Sequence, residues 1–184
     1  MPPFWSRFSS ISRQNFGSRQ LLTDVNFYLN DGDKVGVIGI NGTGKSTFLK
    51  VLSGNLEPDE GRITRNPNVQ ISFLSQNPMM DDHATVLEQV FLHFPKEFRE
   101  LNEYEAKSML TKLGFTDFTQ KVGTLSGGQR KRVALVAALV HPADVLVLDE
   151  PTNHLDSEMV AWLEERLRAF RGGLVMLTHA SYFL

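Results

Sequence analysis

Cysteine is absent, which excludes disulfides, thiolate metal sites and thiol catalysis. Long apolar runs are absent too. None approaches the roughly 20 residues needed to cross a bilayer, so work at a membrane would need a span from another chain. Neither sign of charge is in large excess: the net charge is −2, and whole-chain electrostatics predict no nucleic-acid binding. Low-complexity tracts and internal repeats are missing. The remaining composition is ordinary for a globular protein, with 184 residues, 41% hydrophobic and 22% charged, enough for one domain with a core. Acids are also missing ahead of Asp24, where Arg7, Arg13 and Arg19 stand among serines. That composition fits an organelle transit peptide and equally a ragged N-terminal segment, residues 1–13, leading into the first strand.

Glycine is concentrated where it carries chemistry. Gly39-Ile40-Asn41-Gly42-Thr43-Gly44-Lys45-Ser46 fits GxxxxGK(S/T) without mismatch. An apolar strand-like run, Val35 to Ile38, precedes it. A helix-like run with Phe48, Leu49, Val51 and Leu52 follows Thr47 and closes at Gly54. In that order, the backbone N–H groups of the bend turn toward one point, where the helix N-terminus adds partial positive charge. Lys45 would reach the β- and γ-phosphates of a nucleotide, and the Ser46 hydroxyl would hold Mg²⁺.

Elsewhere the pattern alternates between strand and helix. Leu22 to Leu29 places Val25, Phe27 and Leu29 on one face and reads as a half-buried strand. Asp31-Gly32-Asp33 and Pro58-Asp59-Glu60-Gly61 are turns. Val69, Ile71 and Phe73 mark a strand ending at Gln76. Ala84 to Phe115 is helical with a break at Pro95, and Arg130 to Val140 is a helix. Val145 to Leu148 and Leu174 to Thr178 are continuous apolar runs of the kind that form central parallel strands. Ser157 to Phe170 is amphipathic, with Glu164 placed to pair with Arg168. Arg130, Lys131 and Arg132 are too short a cluster for nucleic acid and read as a solvated helix face. The alternation predicts an α/β fold with a parallel sheet.

Four further elements stand in fixed order: Gln76; Leu125-Ser126-Gly127-Gly128-Gln129; Val145 to Leu148 followed by Asp149-Glu150 and Pro151-Thr152-Asn153-His154-Leu155-Asp156; and His179. Together with the phosphate loop they resemble the nucleotide-binding domain of ATP-binding-cassette (ABC) proteins over residues 14–184. The stretch Asp149 to Asp156 looks like the ABC-F branch, soluble proteins with two cassettes in tandem, and the flanking sequence is more like the first cassette.

The resemblance implies a P-loop NTPase of ABC type, with a mixed or parallel sheet core, an antiparallel β subdomain and a small helical subdomain over roughly residues 80–140. It implies ATP and Mg²⁺ as ligands. Asp149 would bind Mg²⁺ and Glu150 would act as general base toward water. His179 would hydrogen-bond the γ-phosphate, and Gln76 would touch Mg²⁺ or the water, although a surface glutamine fits as well. Phe16 fits both an adenine stack and ordinary core. Ser126, Gly127, Gly128 and Gln129 would face the nucleotide held by a second cassette, so one copy would bind ATP but hydrolyse it slowly until paired. His154 lies in the loop that, in the family, sits at the dimer interface and links the two sites.

The chain also departs from the family pattern. ABC domains continue past this point with a helix and further strands, so the C-terminal end of the domain is expected to be missing. Ala180 and Ser181 stand where ABC-F proteins carry Asp-Arg. About fifty residues separate Gln76 from Leu125, which leaves no room for the long charged hairpin common in first ABC-F cassettes. The resemblance implies a cytoplasmic ATPase acting on the ribosome or tRNA, as translation factor or resistance protein. The alternatives are the ATPase subunit of a membrane transporter and an ATP-dependent clamp that works by closure alone.

Overall fold

The computed structural model describes residues 11–16, 19–25, 27–39, 44–61, 63 and 66–178; up to Val25, and for Glu60 and Gly61, it describes backbone only. The expectations for Ile40, Asn41, Gly42, Thr43, His179, Ala180 and Ser181 lie outside these residues. The chain forms two compact units, one of residues 1–75, 143–151 and 170–184, the other of residues 76–142 and 152–169.

The first unit is built on sheets. Strands β1 (Ile11–Phe16), β2 (Arg19–Val25) and β4 (Glu60–Gly61) form an antiparallel sheet in the order β2-β1-β4. Strand β1 begins inside the span expected to be an irregular leader. Strands β3 (Lys34–Val37), β5 (Ile71–Leu74), β6 (Val145–Asp149) and β7 (Gly173–Leu177) form a parallel sheet in the order β3-β7-β6-β5. Every residue of β6 and β7 is buried, as a central parallel strand requires. Helix α1 (Lys45–Ser53) covers one face: Phe48, Leu49, Val51 and Leu52 pack with Val145, Val147, Val175 and Leu177.

The strand expected over Leu22 to Leu29 ends instead at Val25. Phe27 and Leu29 are apolar for another reason. Leu29 is fully buried in the α1 core, and Phe27 meets Phe48 edge to face at 5.4 Å. Alternation here records core packing and not a ladder.

The second unit is helical. Helix α2 (Val86–Val90) opens with a capping box, and the Thr85 backbone N–H donating to the Glu88 carboxylate holds that carboxyl below its ordinary pKa. Pro95 is the N-cap of α3 (Lys96–Lys112). Helix α4 (Gly127–Val140) packs against α2 and α3 and buries Val133, Ala134, Leu135, Val136, Ala138 and Val140, so it is covered on several sides. Helix α5 (Ser157–Ala169) buries Leu163 and Leu167 and carries the Glu164–Arg168 pair at 3.8 Å. Among the described residues no helix is long and apolar enough to cross a membrane.

The Arg130–Arg132 cluster is a solvated face only in part. Arg130 pairs with Asp82 at 2.5 Å. Arg132 turns inward: its Nη1 donates to the Leu113 carbonyl at 2.9 Å, it stands 5.8 Å from the Phe115 ring centroid, and its Nε is buried. The pattern of charges along α4 could not show this, because both partners come from distant segments. Arg132→Ala should lower stability by about 2 kcal/mol, losing the stem packing and leaving the Leu113 carbonyl unmet. Arg132→Lys should recover less than half, since an ammonium lacks the planar fork. Urea melts of the three proteins check this.

Candidate functional site

In the sheet unit, the carboxyl ends of three adjacent strands converge on one edge, the place where open α/β sheets bind ligands. Strand β3 runs out through Ile38 and Gly39 into the phosphate-loop segment. Gly44 then caps α1 with φ 88° and ψ 12°, a left-handed conformation that glycine adopts without strain. No side chain caps this helix and no acid lies in its first turn. Its leading N–H groups are those that an α-helix leaves without intrahelical partners, and they carry its positive end. The Lys45 ammonium folds back and donates to the Gly39 carbonyl, so the side chain spans the loop from its last residues to its first. Ser46 and Thr47 are half-buried on the first turn of α1.

Two strands across, β6 delivers Asp149 at its last position, only 3% exposed and in register with Leu177 of β7. Glu150 follows with φ 50°, a left-handed conformation that is costly for a residue with a Cβ. Its N–H donates to the Leu177 carbonyl at 3.0 Å, which holds the carboxylate-bearing residue at the sheet edge. Strand β7, between β3 and β6, is followed by buried Thr178, whose N–H donates to the Val37 carbonyl. The residue after it is His179. Phe16 closes β1, paired with Arg19 through the backbone, and its ring lies outside the described side chains.

In the helical unit, Gln76 is exposed in a bend after β5, two residues beyond the strand end at Leu74. The Leu125–Gln129 element is the start of α4, three residues earlier than expected. The Ser126 hydroxyl accepts from the Gln129 N–H at 3.2 Å and Gln129 Oε1 accepts from the Ser126 N–H at 2.9 Å. This Ser-x-x-Gln capping box was legible in the sequence and allows two glycines in a first turn. Gln129 is thus turned onto its own helix cap. His154 has φ 67° and lies against Gly128. The structure therefore gathers Gly39, Gly44, Lys45, Ser46, Thr47, Asp149 and Glu150 in the sheet unit, and Gln76, Ser126 to Gln129 and His154 in the helical unit.

Comparison with known proteins bears on the fold and the family. The ABC transporter family model matches residues 22–153. An uncharacterized ABC transporter ATP-binding protein, YfmR of Bacillus subtilis, is 38% identical over 93% of this chain and 33% of its own length. The energy-dependent translational throttle protein EttA of Escherichia coli is 33% identical over 90% of this chain and 37% of its own. The chain thus spans about a third of the length of these curated relatives. An archaeal ribosome recycling factor, solved in complex with a ribosomal stalk protein, superposes with TM-score 0.80 at 27% identity over 100% of this chain and 35% of that one. A dimeric bacterial ABC transporter cassette shares the fold, with TM-score 0.79 at 24% identity over 96% of this chain and 89% of that one. The chain belongs to the ABC transporter family and has the fold of its ATP-binding cassettes, P-loop ATPases with a parallel sheet.

Proposed function

We propose that the chain binds Mg·ATP on residues 39–47 and hydrolyses it when paired head-to-tail with a second cassette, as part of an ABC-F protein that acts on the ribosome. The convergence of the β3, β7 and β6 carboxyl ends carries this reading, because it sets the α1 N-terminus and Lys45 on the same sheet edge as Asp149 and Glu150. The triphosphate lies on the N–H groups of the loop, Ile40 to Thr43 included, and on Lys45. Mg²⁺ suits the donors present: one hydroxyl from Ser46 and one carboxylate from Asp149, hard oxygens that leave phosphate and water to fill the shell. Bound there, the ion would neutralise charge on the phosphates. Glu150 accepts the proton of the attacking water, Gln76 and His179 orient the water and the γ-phosphate, and Phe16 stacks on the base. Ser126, Gly127 and Gly128 present the α4 N-terminus to the partner's nucleotide, with Gln129 shaping that turn.

Residues 14–184, with β1 from Ile11 added, are part of one ABC nucleotide-binding domain. The ABC-F and cytoplasmic assignments draw on the stretch Asp149 to Asp156 and on the likeness to the throttle protein. The alignments to YfmR and EttA run over 208 and 204 positions, more than the chain's 184 residues, so these relatives hold segments that it lacks. Between Gln76 and Leu125 it has only α2, α3 and short turns. The second reading, the ATPase subunit of a membrane transporter, is favoured by the likeness to YfmR and by the matching family model. Sedimentation with purified ribosomes separates them. Pelleting in a non-hydrolysable ATP analogue, lost in ADP, is expected. Failure to pellet in either nucleotide, with ATP binding intact, removes the ribosome and leaves the cassette.

A further inference from the structure

We propose that His154 is a positioning residue: its ring fixes the turn from Ser126 to Gln129, and residue 128 lacks a side chain because that ring occupies the space. The two glycines of the turn differ in this respect. A Cβ on Gly127 would meet nothing within 4 Å, whereas a Cβ on Gly128 would lie 3.1 Å from His154 Cβ, 3.3 Å from Cγ and 3.4 Å from Nδ1. Gly128 does not have a positive φ, so its backbone makes no demand for glycine. The requirement comes from the neighbour.

Both sides of the contact are held. The turn is locked by the Ser126–Gln129 capping box. His154 projects from a tight turn in which the Leu155 N–H donates to the Thr152 carbonyl at 3.2 Å. That turn is anchored in turn by Asp156, whose Oδ1 accepts from the Met159 N–H at 2.9 Å at the start of α5. Histidine is among the few residues with a Cβ that tolerate left-handed backbone, and its φ of 67° sets the ring on Gly128. A displacement of the turn from Thr152 to Leu155 would therefore reach the α4 N-terminus through one imidazole. The inference rests on the reading above, in which that N-terminus faces a nucleotide held by a second cassette.

A double-mutant cycle in the whole chain tests it. Gly128→Ala is introduced into the parent and into His154→Gly, and ATP turnover, calorimetric ATP affinity and melting temperature are measured. In the parent, Gly128→Ala should lower turnover about tenfold; in His154→Gly the same change should cost less than about twofold. Affinity for ATP at Lys45 should hold in all four proteins. Gly127→Ala, which meets no ring, should act equally in both backgrounds. His154→Asn, which tolerates the left-handed backbone but lacks the ring, replaces His154→Gly if that variant does not fold. Equal losses from Gly128→Ala in both backgrounds overturn the proposal. Absence of ATP binding by the parent would instead sink the nucleotide reading, and the melting temperatures alone would then decide whether His154 sets the demand at residue 128.

Discussion

Lys45→Ala should weaken ATP binding by about 100-fold, close to 3 kcal/mol, with little change in melting temperature. The two readouts separate because Lys45 is only half-buried and its ammonium donates to a neutral carbonyl, that of Gly39 within the same loop. A triphosphate offers a stronger acceptor, since its oxygens carry net negative charge and attract the ammonium more than a neutral carbonyl dipole does. Lys45 can leave Gly39 for phosphate, and the α1 N–H groups, uncapped by any side chain, turn to the same anion. Lys45→Arg should not rescue: the guanidinium is a wide planar fork where a compact point charge is needed. Calorimetry at fixed Mg²⁺ measures the loss. An alanine variant that binds ATP as tightly as the parent would show that the bend from Gly39 to Ser46 is not a phosphate cradle.

That cradle was legible because its chemistry is local. Glycines, a lysine and a helix start within eight residues specify backbone geometry with no long-range information. The same holds for the apolar runs of β6 and β7, whose burial on both faces requires such runs. What local pattern could not carry was pairing. In the strand order β3-β7-β6-β5, β3 pairs with β7 more than one hundred residues away, and no periodicity within a segment encodes its neighbour. The same blindness explains two other differences. Phe27 and Leu29 keep strand periodicity because they alternate into the α1 core, and Arg132 is turned inward by a carbonyl at Leu113 and a ring at Phe115. At α4 the helix starts at Gly127 instead of Arg130, and the Ser126–Gln129 capping box is the local signal for that start.

Glu150→Gln should lower turnover by about 10² to 10⁴-fold while leaving ATP affinity within a factor of a few, as removal of a general base does. The amide keeps the length and shape of the side chain but cannot accept a proton. The backbone supplies a second, sharper test. Glu150 sits at φ 50°, held there by its N–H on the Leu177 carbonyl. A residue with a Cβ in that conformation costs about 1–2 kcal/mol, and glycine's own entropy recovers part of the difference. Glu150→Gly should therefore raise stability, by up to about 1 kcal/mol, while losing turnover like the glutamine variant. Opposite signs on stability and activity are what a strained functional residue produces. A residue that merely ends a strand would show the stability gain with turnover intact, and the clamp reading would show ATP-dependent closure unaffected by either change. Melting curves and single-turnover assays on both variants decide among these. Unchanged turnover in Glu150→Gln would place the base elsewhere and leave the left-handed bend at this position without a catalytic reason.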